Sequence, residues 1–125
     1  MKNLKDVGNG YLLHKNGTIY STKISYKWNP KGELREVQPK KMKTGYYYAP
    51  MYNDVDNPNK KNFYRLHRLV WETFVGPIPK GLVIHHKDHN KSNNKLSNLQ
   101  LVTSSQNRIL YLQYKNKNNG NSKLS

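Results

Sequence analysis

The sequence contains no cysteine, few acidic residues and no long hydrophobic run. Without cysteine, disulfides, thiolate zinc sites and cysteine nucleophiles are excluded. No stretch approaches the roughly 18 apolar residues that span a membrane, and the opening segment MKNLKDVGNG lacks the apolar run of a signal peptide. These absences predict a cytoplasmic protein with no membrane partner. The 125 residues fit one domain, and a hydrophobic share of 34% predicts a thin core.

The shortage of acidic residues leaves a strongly basic chain. Lys and Arg total 22 against 7 Asp and Glu, a net charge of +15, and no acidic residue follows Asp88. This balance favours a polyanionic partner, and the predominance of Lys over Arg favours contact with a phosphate backbone over dense base readout. Ten Tyr add groups that stack on bases or lie in sheets. A merely solvated basic surface and binding to an anionic membrane are the alternatives that composition leaves open.

The first half of the chain is predicted to be β-rich. Residues 11–21 predict a hairpin around an Asn-Gly dipeptide, which supplies the positive φ angles of a tight turn. Residues 24–38 repeat the pattern around the turn sequence Asn-Pro-Lys-Gly at 29–32. Residues 46–52 predict a further strand, and Pro50 predicts that this strand lies at a sheet edge because proline cannot donate to the ladder.

A helix is predicted in the middle of the chain. Residues 63–66 predict a short strand that leads into a helix over residues 67–75, which Gly76-Pro77 ends. Helical spacing places four apolar side chains on one face, which is expected to pack on the core: Leu66, Leu69, Val70 and Phe74.

The most informative segment covers residues 82–110. It predicts a strand that ends in His85-His86, a polar loop KDHNKSNNK, and a second short strand over residues 99–102. Thr103 and Gln106 then form a T-x-x-Q capping box, which predicts a helix start. The local order is therefore strand, long loop, strand, helix.

Two features of this segment indicate chemistry. Neighbouring strand residues point to opposite faces, so His85 and His86 are not expected to do the same job, and they can serve one site only where the strand ends. Asn107 occupies the fourth helical position, where an apolar residue would be expected, which indicates a requirement for its amide oxygen.

The chain resembles the HNH endonuclease family, in particular the HNH homing endonucleases of phages and introns. The resemblance rests on HRLVWETF at 67–74 and on VIHHKDHNKSNNKLSNLQLVTSSQN at 83–107. It implies an α+β fold with a ββα-metal (His-Me finger) nuclease core. It also implies a metal-dependent hydrolysis of phosphodiester bonds in double-stranded DNA.

The resemblance implies roles for four residues. His86 would be the general base, and Asn98 would hold its ring through a hydrogen bond. His85 and Asn107 would be ligands of one divalent ion. Mg²⁺ or Mn²⁺ is expected, although an imidazole ligand also suits Ni²⁺ or Zn²⁺. A strand-end cap for His86 and a turn-forming role for Asn98 are the structural alternatives.

Other polar residues of the segment receive weaker assignments. Asp88 is expected to cap N–H groups of the loop, with metal binding as the alternative, and Asn93 and Asn94 are expected to brace the same loop. His89 stands where relatives often carry Gly and receives no role. For His67, phosphate contact and a place at the helix start remain open. The candidate DNA-contacting residues are Arg65, His67, Arg68, Lys87, Lys91 and Arg108.

The chain is therefore divided into a β-rich DNA-contacting region (1–62), an HNH nuclease core (63–115) and a polar tail (116–125) expected to be linker or disorder. The predicted function is a homing-type DNA endonuclease that nicks one strand or cuts both. A catalytically inactive DNA-binding module and an RNA-binding basic protein are the alternatives. Target sequence and oligomeric state are left open.

Overall fold

The computed structural model describes residues 3–8, 10–22, 31–52, 56–57 and 59–124, with side chains described as far as Lys117. The elements, in chain order, are β1 (Leu4–Gly8), β2 (Tyr11–His14), β3 (Ile19–Ser21), β4 (Arg35–Val37), β5 (Lys40–Lys41), β6 (Tyr47–Met51), β7 (Asn62–Arg65), α1 (Leu66–Phe74), β8 (Leu82–His86), a 3-10 turn (Leu96–Asn98), β9 (Leu99–Thr103) and α2 (Ser104–Leu124). Strands and helices together give the predicted α+β class.

The first four strands form an antiparallel sheet in sequence order. The predicted hairpin at residues 11–21 is confirmed: β2 and β3 pair antiparallel around a turn in which Gly17 has a φ of 90°. In that turn the N–H of Thr18 donates to Asn16 Oδ1 at 2.9 Å, as expected for an Asn that starts a turn. Of the predicted second hairpin, β4 pairs with β3, while residues 23–30 lie outside the described residues.

The second sheet has the order β5-β6-β7, so the predicted edge position of the strand containing Pro50 is wrong. β6 pairs with β7 along its length, and Pro50 lies opposite Phe63. β5 is only two residues long and pairs with Tyr47 and Tyr48 alone. Pro50 therefore lies beyond the end of β5. Its missing N–H donor interrupts no hydrogen bond to that strand.

α1 follows β7 directly and starts one residue earlier than predicted. Its apolar face is buried through Leu66 and Val70, with Leu69 and Phe74 partly buried against the same cluster. The helix ends as predicted at the Gly-Pro pair, where the N–H groups of Val75 and Gly76 both donate to the carbonyl of Trp71. Gly76 has a φ of 144°, a conformation that side chains rarely adopt.

β8 and β9 form a two-stranded antiparallel hairpin, and α2 follows β9 without a loop. The predicted capping box is present in both directions: Gln106 N–H donates to Thr103 Oγ1 at 3.1 Å, and Thr103 N–H donates to Gln106 Oε1 at 2.9 Å. The linker or disorder expected for residues 116–125 is wrong for the backbone, because α2 runs to Leu124. A helix propagates at little cost per residue once it has started, and that stretch contains no proline.

One buried cluster joins all three sheets and α1. It is formed by Tyr11, Leu13, Ile19, Ala49, Met51, Leu66, Val70, Ile84 and Leu99. The cluster includes side chains from both sides of the predicted boundary at residue 62, so the N-terminal strands stabilise the hairpin that carries the candidate site. No helix in the described part of the chain is long and apolar enough to cross a membrane.

Candidate active site

The two neighbouring histidines lie at the end of β8 and have different surroundings. His86 contacts Asn94 of the following loop, and its ring lies near Tyr46. His85 contacts Asn107 of α2 through a side-chain hydrogen bond. Both are nevertheless wall residues of one cavity of about 310 Å³, because the strand ends there and the loop turns back over it. Asn107 also lines this cavity.

Asn94 holds the ring of His86. His86 is 4% exposed, and its Nε2 lies 2.8 Å from Asn94 Oδ1. The amide nitrogen of Asn94 donates to the carbonyl of Lys91 at 3.2 Å, which directs Oδ1 at the ring. Nε2 is therefore the protonated nitrogen, and Nδ1 keeps the lone pair that can accept a proton. Burial lowers the pKa of His86 below 6.5, although the hydrogen bond to Asn94 opposes the shift.

The hydrogen bond expected from Asn98 to His86 is not made. Asn98 instead ties the two ends of the loop together: its Oδ1 accepts the N–H of Asp88 at 3.1 Å, and its Nδ2 donates to Asp88 Oδ1 and to the carbonyl of Asn93, each at 2.9 Å. The turn-forming alternative is thus the one that the contacts support. Sequence reasoning placed Asn94 among the bracing residues and missed its contact with His86, because the spacing alone does not separate neighbouring asparagines of one loop.

Asp88 organises the loop, as predicted. Its carboxylate accepts the N–H of Asn90 at 2.8 Å and the amide of Asn93 at 2.7 Å. Desolvation raises the pKa of Asp88, but these hydrogen bonds and the one from Asn98 outweigh it and bring the pKa below 3.8. The carboxylate is thus engaged with groups of the loop itself.

His85 and Asn107 provide two neutral donors for a metal ion. Burial lowers the pKa of His85, and the nearby His89 lowers it further, so its imidazole is neutral at physiological pH. A neutral imidazole and an amide oxygen that are in hydrogen-bond contact fit adjacent positions around a divalent ion. Within the described ranges, no group of three or more His, Cys, Asp or Glu side chains is arranged to hold an ion. The donor set therefore fits an ion that keeps several positions for water or phosphate oxygens.

The wall behind His86 consists of rings that sequence reasoning did not place there. Tyr46 stacks on His67 with ring centres 4.9 Å apart, and the ring of His67 lies 5.3 Å from that of His86. Lys91 Nζ lies 4.3 Å from the centre of the Tyr46 ring and donates to the carbonyl of Thr44 at 2.8 Å. No signal in the sequence indicated this contact, because Tyr46 lies far from the other rings in the chain.

His67 is buried and neutral. It is 7% exposed, and burial, His86 and the two nearby arginines lower its pKa from 6.5 to about 4. Its Nδ1 is buried without a hydrogen-bond partner. His67 therefore serves as a neutral ring of the wall behind His86. A contact with phosphate as a cation is unfavourable for His67.

Four of the remaining candidate DNA-contacting residues line two neighbouring cavities. Arg108 and Lys91 line the larger one. Arg65 and Arg68 line a neighbouring cavity of about 170 Å³, which also touches Asn107. All four side chains and Lys87 are exposed, so their charges face solvent. Arg68 also makes an exposed ion pair of 3.5 Å with Glu72.

A strand hairpin, its polar loop and the first turns of a following helix thus surround a His–His–Asn site, which is the ββα-metal nuclease architecture. Residues 64–109 match the sequence model of the family described as HNH endonuclease. This segment of the chain is therefore similar to the HNH endonucleases.

Similar proteins include one from a phage and one from a prophage. The chain is 31% identical over 102 residues to the DNA endonuclease I-HmuI of Bacillus phage SP01, covering 82% of this chain and 51% of that protein. It is 46% identical over 46 residues to the SPbeta prophage-derived YosQ of Bacillus subtilis (strain 168), covering 37% of this chain and 27% of that protein. A solved structure titled "DNA binding and cleavage by the HNH homing endonuclease I-HmuI" matches with a TM-score of 0.67 and 26% identity over 90% of this chain and 59% of that one. The chain therefore spans about half or less of the curated relatives it matches.

Proposed function

We propose that this protein is a metal-dependent endonuclease that hydrolyses phosphodiester bonds of double-stranded DNA. The observation that carries the proposal is the state of His86: Asn94 accepts its Nε2–H, which leaves Nδ1 as the basic nitrogen, and His86 lines the cavity that His85 and Asn107 share. A neutral imidazole with a free lone pair next to a candidate metal site is what activation of a water molecule requires.

The residues divide the chemistry between them. His86 Nδ1 accepts a proton from the water that attacks the phosphorus. Asn94 fixes the ring and its tautomer, and the wall of Tyr46 and His67 limits its rotation. His85 and Asn107 would hold the divalent ion, with Mg²⁺ or Mn²⁺ as the expected occupant. When bound, such an ion supplies charge stabilisation at the scissile phosphate and at the leaving oxygen.

Duplex DNA is supported as substrate by charge and by similarity. The net charge of +15 favours a polyanion, and exposed Arg65, Arg68, Lys91 and Arg108 lie around the cavities next to the candidate base. The solved relative is titled as binding and cleaving DNA. Lys and Arg in these positions would contact the backbone on either side of the scissile bond. We expect the protein to act in the cytoplasm of a bacterial or phage-infected cell.

A plasmid-nicking assay tests this function. Supercoiled DNA is incubated with the protein and Mg²⁺ or Mn²⁺, with and without a chelator, and open-circle and linear products are quantified. His86→Ala should lose about 10²- to 10⁴-fold in rate, the usual contribution of general-base catalysis, while DNA binding persists. His14→Ala is the matched control, since His14 is an imidazole on β2 whose Nδ1 accepts the N–H of Asn16.

Several outcomes would contradict the proposal. Cleavage by His86→Ala at the wild-type rate would remove the assigned base. Cleavage that survives the chelator would remove the metal requirement. Binding to duplex DNA without any cleavage would support the inactive binding module, and a preference for RNA over duplex DNA would support the RNA-binding alternative. The ratio of open-circle to linear product distinguishes nicking from double-strand cutting.

A further inference from the structure

His89 occupies an unusual conformation beside the candidate metal ligands. Its φ is 60°, and among the described residues other than glycine it alone has a positive φ. An L residue with a Cβ rarely adopts this conformation, which a glycine would accept readily. The ring lines the same cavity as His85 and Asn107.

The His89 ring is held there from two sides. It stacks face to face on Tyr114, with ring centres 4.1 Å apart and planes within 8°. It meets His85 edge to face, with ring centres 4.8 Å apart and an angle of 75°. A partner that covers the face of an imidazole leaves its two nitrogens free, because they lie in the ring plane.

The spacing of the two rings is compatible with two imidazoles on one ion. A metal-bound imidazole nitrogen lies about 2.1 Å from the ion, and the ring centre lies about 1 Å farther. Two imidazoles whose bonds to the ion form a right angle therefore have ring centres about 4.5 Å apart. The observed 4.8 Å is close to this value. The third partner lies beside them, because Asn107 forms a side-chain hydrogen bond with His85 and lines the same cavity.

We propose that His89 is a third metal ligand, so that His85, His89 and Asn107 together hold one divalent first-row transition-metal ion. This proposal rests on the proposed function, since it concerns the metal of the same site. Two imidazoles and one amide oxygen, with no carboxylate, favour Co²⁺, Ni²⁺ or Zn²⁺ over Mg²⁺, which prefers oxygen ligands. The site would therefore bind such ions more tightly than the expected Mg²⁺.

α2 contributes to this arrangement from one face. Asn107, Tyr111 and Tyr114 are spaced four and three residues apart and all line the cavity, so they share one side of the helix. Tyr114 therefore fixes His89 from the same helix that delivers Asn107. The competing explanation is that His89 only stacks on Tyr114 and contributes no donor atom.

Binding of Co²⁺ to the untagged full-length protein, followed by calorimetry and by visible absorption, separates these explanations. His89→Phe keeps an aromatic ring on Tyr114 but removes the donor nitrogens. It should weaken Co²⁺ binding by at least about tenfold, because even residues that only support a ligand cost 10- to 100-fold in affinity. His89→Gly, which suits the positive φ and so should fold, is expected to show the same loss. His14→Gln is the control for an imidazole outside the site and should bind as the wild type does.

The results distinguish this inference from the proposed function. If His89→Phe and His89→Gly bind Co²⁺ as tightly as the wild type while His85→Ala does not, His89 is not a ligand and the two-ligand site stands. If His85→Ala and Asn107→Ala also bind normally, the metal site itself is misplaced and both proposals fail. A wild-type affinity for Co²⁺ no greater than that for Mg²⁺ would overturn the nitrogen-rich site.

Discussion

Replacing Asn94 with alanine tests whether this residue orients the general base in addition to stabilising the loop. The substitution removes the acceptor 2.8 Å from His86 Nε2 and leaves that buried N–H without a partner. An unsatisfied buried donor costs about 1–3 kcal/mol of the free energy of unfolding. The nicking rate should fall by about 10- to 100-fold, the usual effect of removing a residue that orients a metal ligand or catalytic group.

The matched control is Asn93→Ala, which changes the neighbouring residue of the same loop. Asn93 donates to Asp88 Oδ2 at 2.7 Å and makes no hydrogen bond to His86. This variant should lose stability in urea unfolding but keep a kcat near that of the wild type. Combining Asn94→Ala with His86→Ala should lower the rate little beyond His86→Ala alone, because Asn94 acts through that ring.

The pH profile adds a readout that general destabilisation would not change. A general base is active when deprotonated, so nicking should decline as the pH falls through the pKa of His86. The hydrogen bond that His86 donates to Asn94 raises this pKa, so its removal should move the acid limb of the profile to lower pH. An Asn94→Ala protein with the wild-type rate and the wild-type acid limb would refute the assignment of Asn94 as the residue that orients the base.

Three further predictions follow from individual residues. The pKa of His67 is about 4 in the folded protein and 6.5 when unfolded, so the unfolded state binds more protons below pH 6.5. The free energy of unfolding should therefore fall by about 3 kcal/mol between pH 6.5 and 4. In urea unfolding, the His67→Phe variant should show a smaller decline over this pH range. Gly17→Ala adds a Cβ 3.0 Å from the carbonyl oxygen of Asn94, so it should slow nicking as well as destabilise the protein. Gly8→Ala is the control, because Gly8 also has a positive φ but has open space around it, and this variant should only lose stability. Equal nicking rates of the two variants would contradict a coupling between the turn at Gly17 and Asn94. Arg108→Ala should reduce the salt dependence of DNA binding by about one phosphate contact, and an unchanged slope would remove Arg108 from the DNA interface.

Features that depend on neighbouring residues could be predicted from the sequence. The turn at Asn16-Gly17 and the box of Thr103 and Gln106 arise from side chains bonding to backbone groups two or three residues away, so their contacts are set by local spacing. The same holds for the end of β8 at His86, because a polar loop begins at the next residue. The order strand, loop, strand, helix around the candidate site follows from these signals.

Other features were decided only when distant segments packed together. Pro50 is accommodated in the central strand of its sheet because β5 is too short to reach it, and β5 has no sequence signal of its own. Tyr46 reaches His67 and His86 because β6 and α1 share the core with β8. Asn94, rather than Asn98, contacts His86 because of the path of the loop over the hairpin.

The sequence by itself therefore determined the order of the elements, the basic charge and the pair of histidines at a strand end. These properties depend on composition and on contacts within a few residues. The tertiary structure decided which polar group orients the base, which rings form the wall behind it, and that His89 stands beside His85. These contacts join loops, strands and a helix whose relative positions are set by burial of the shared core, and local residue patterns do not encode them.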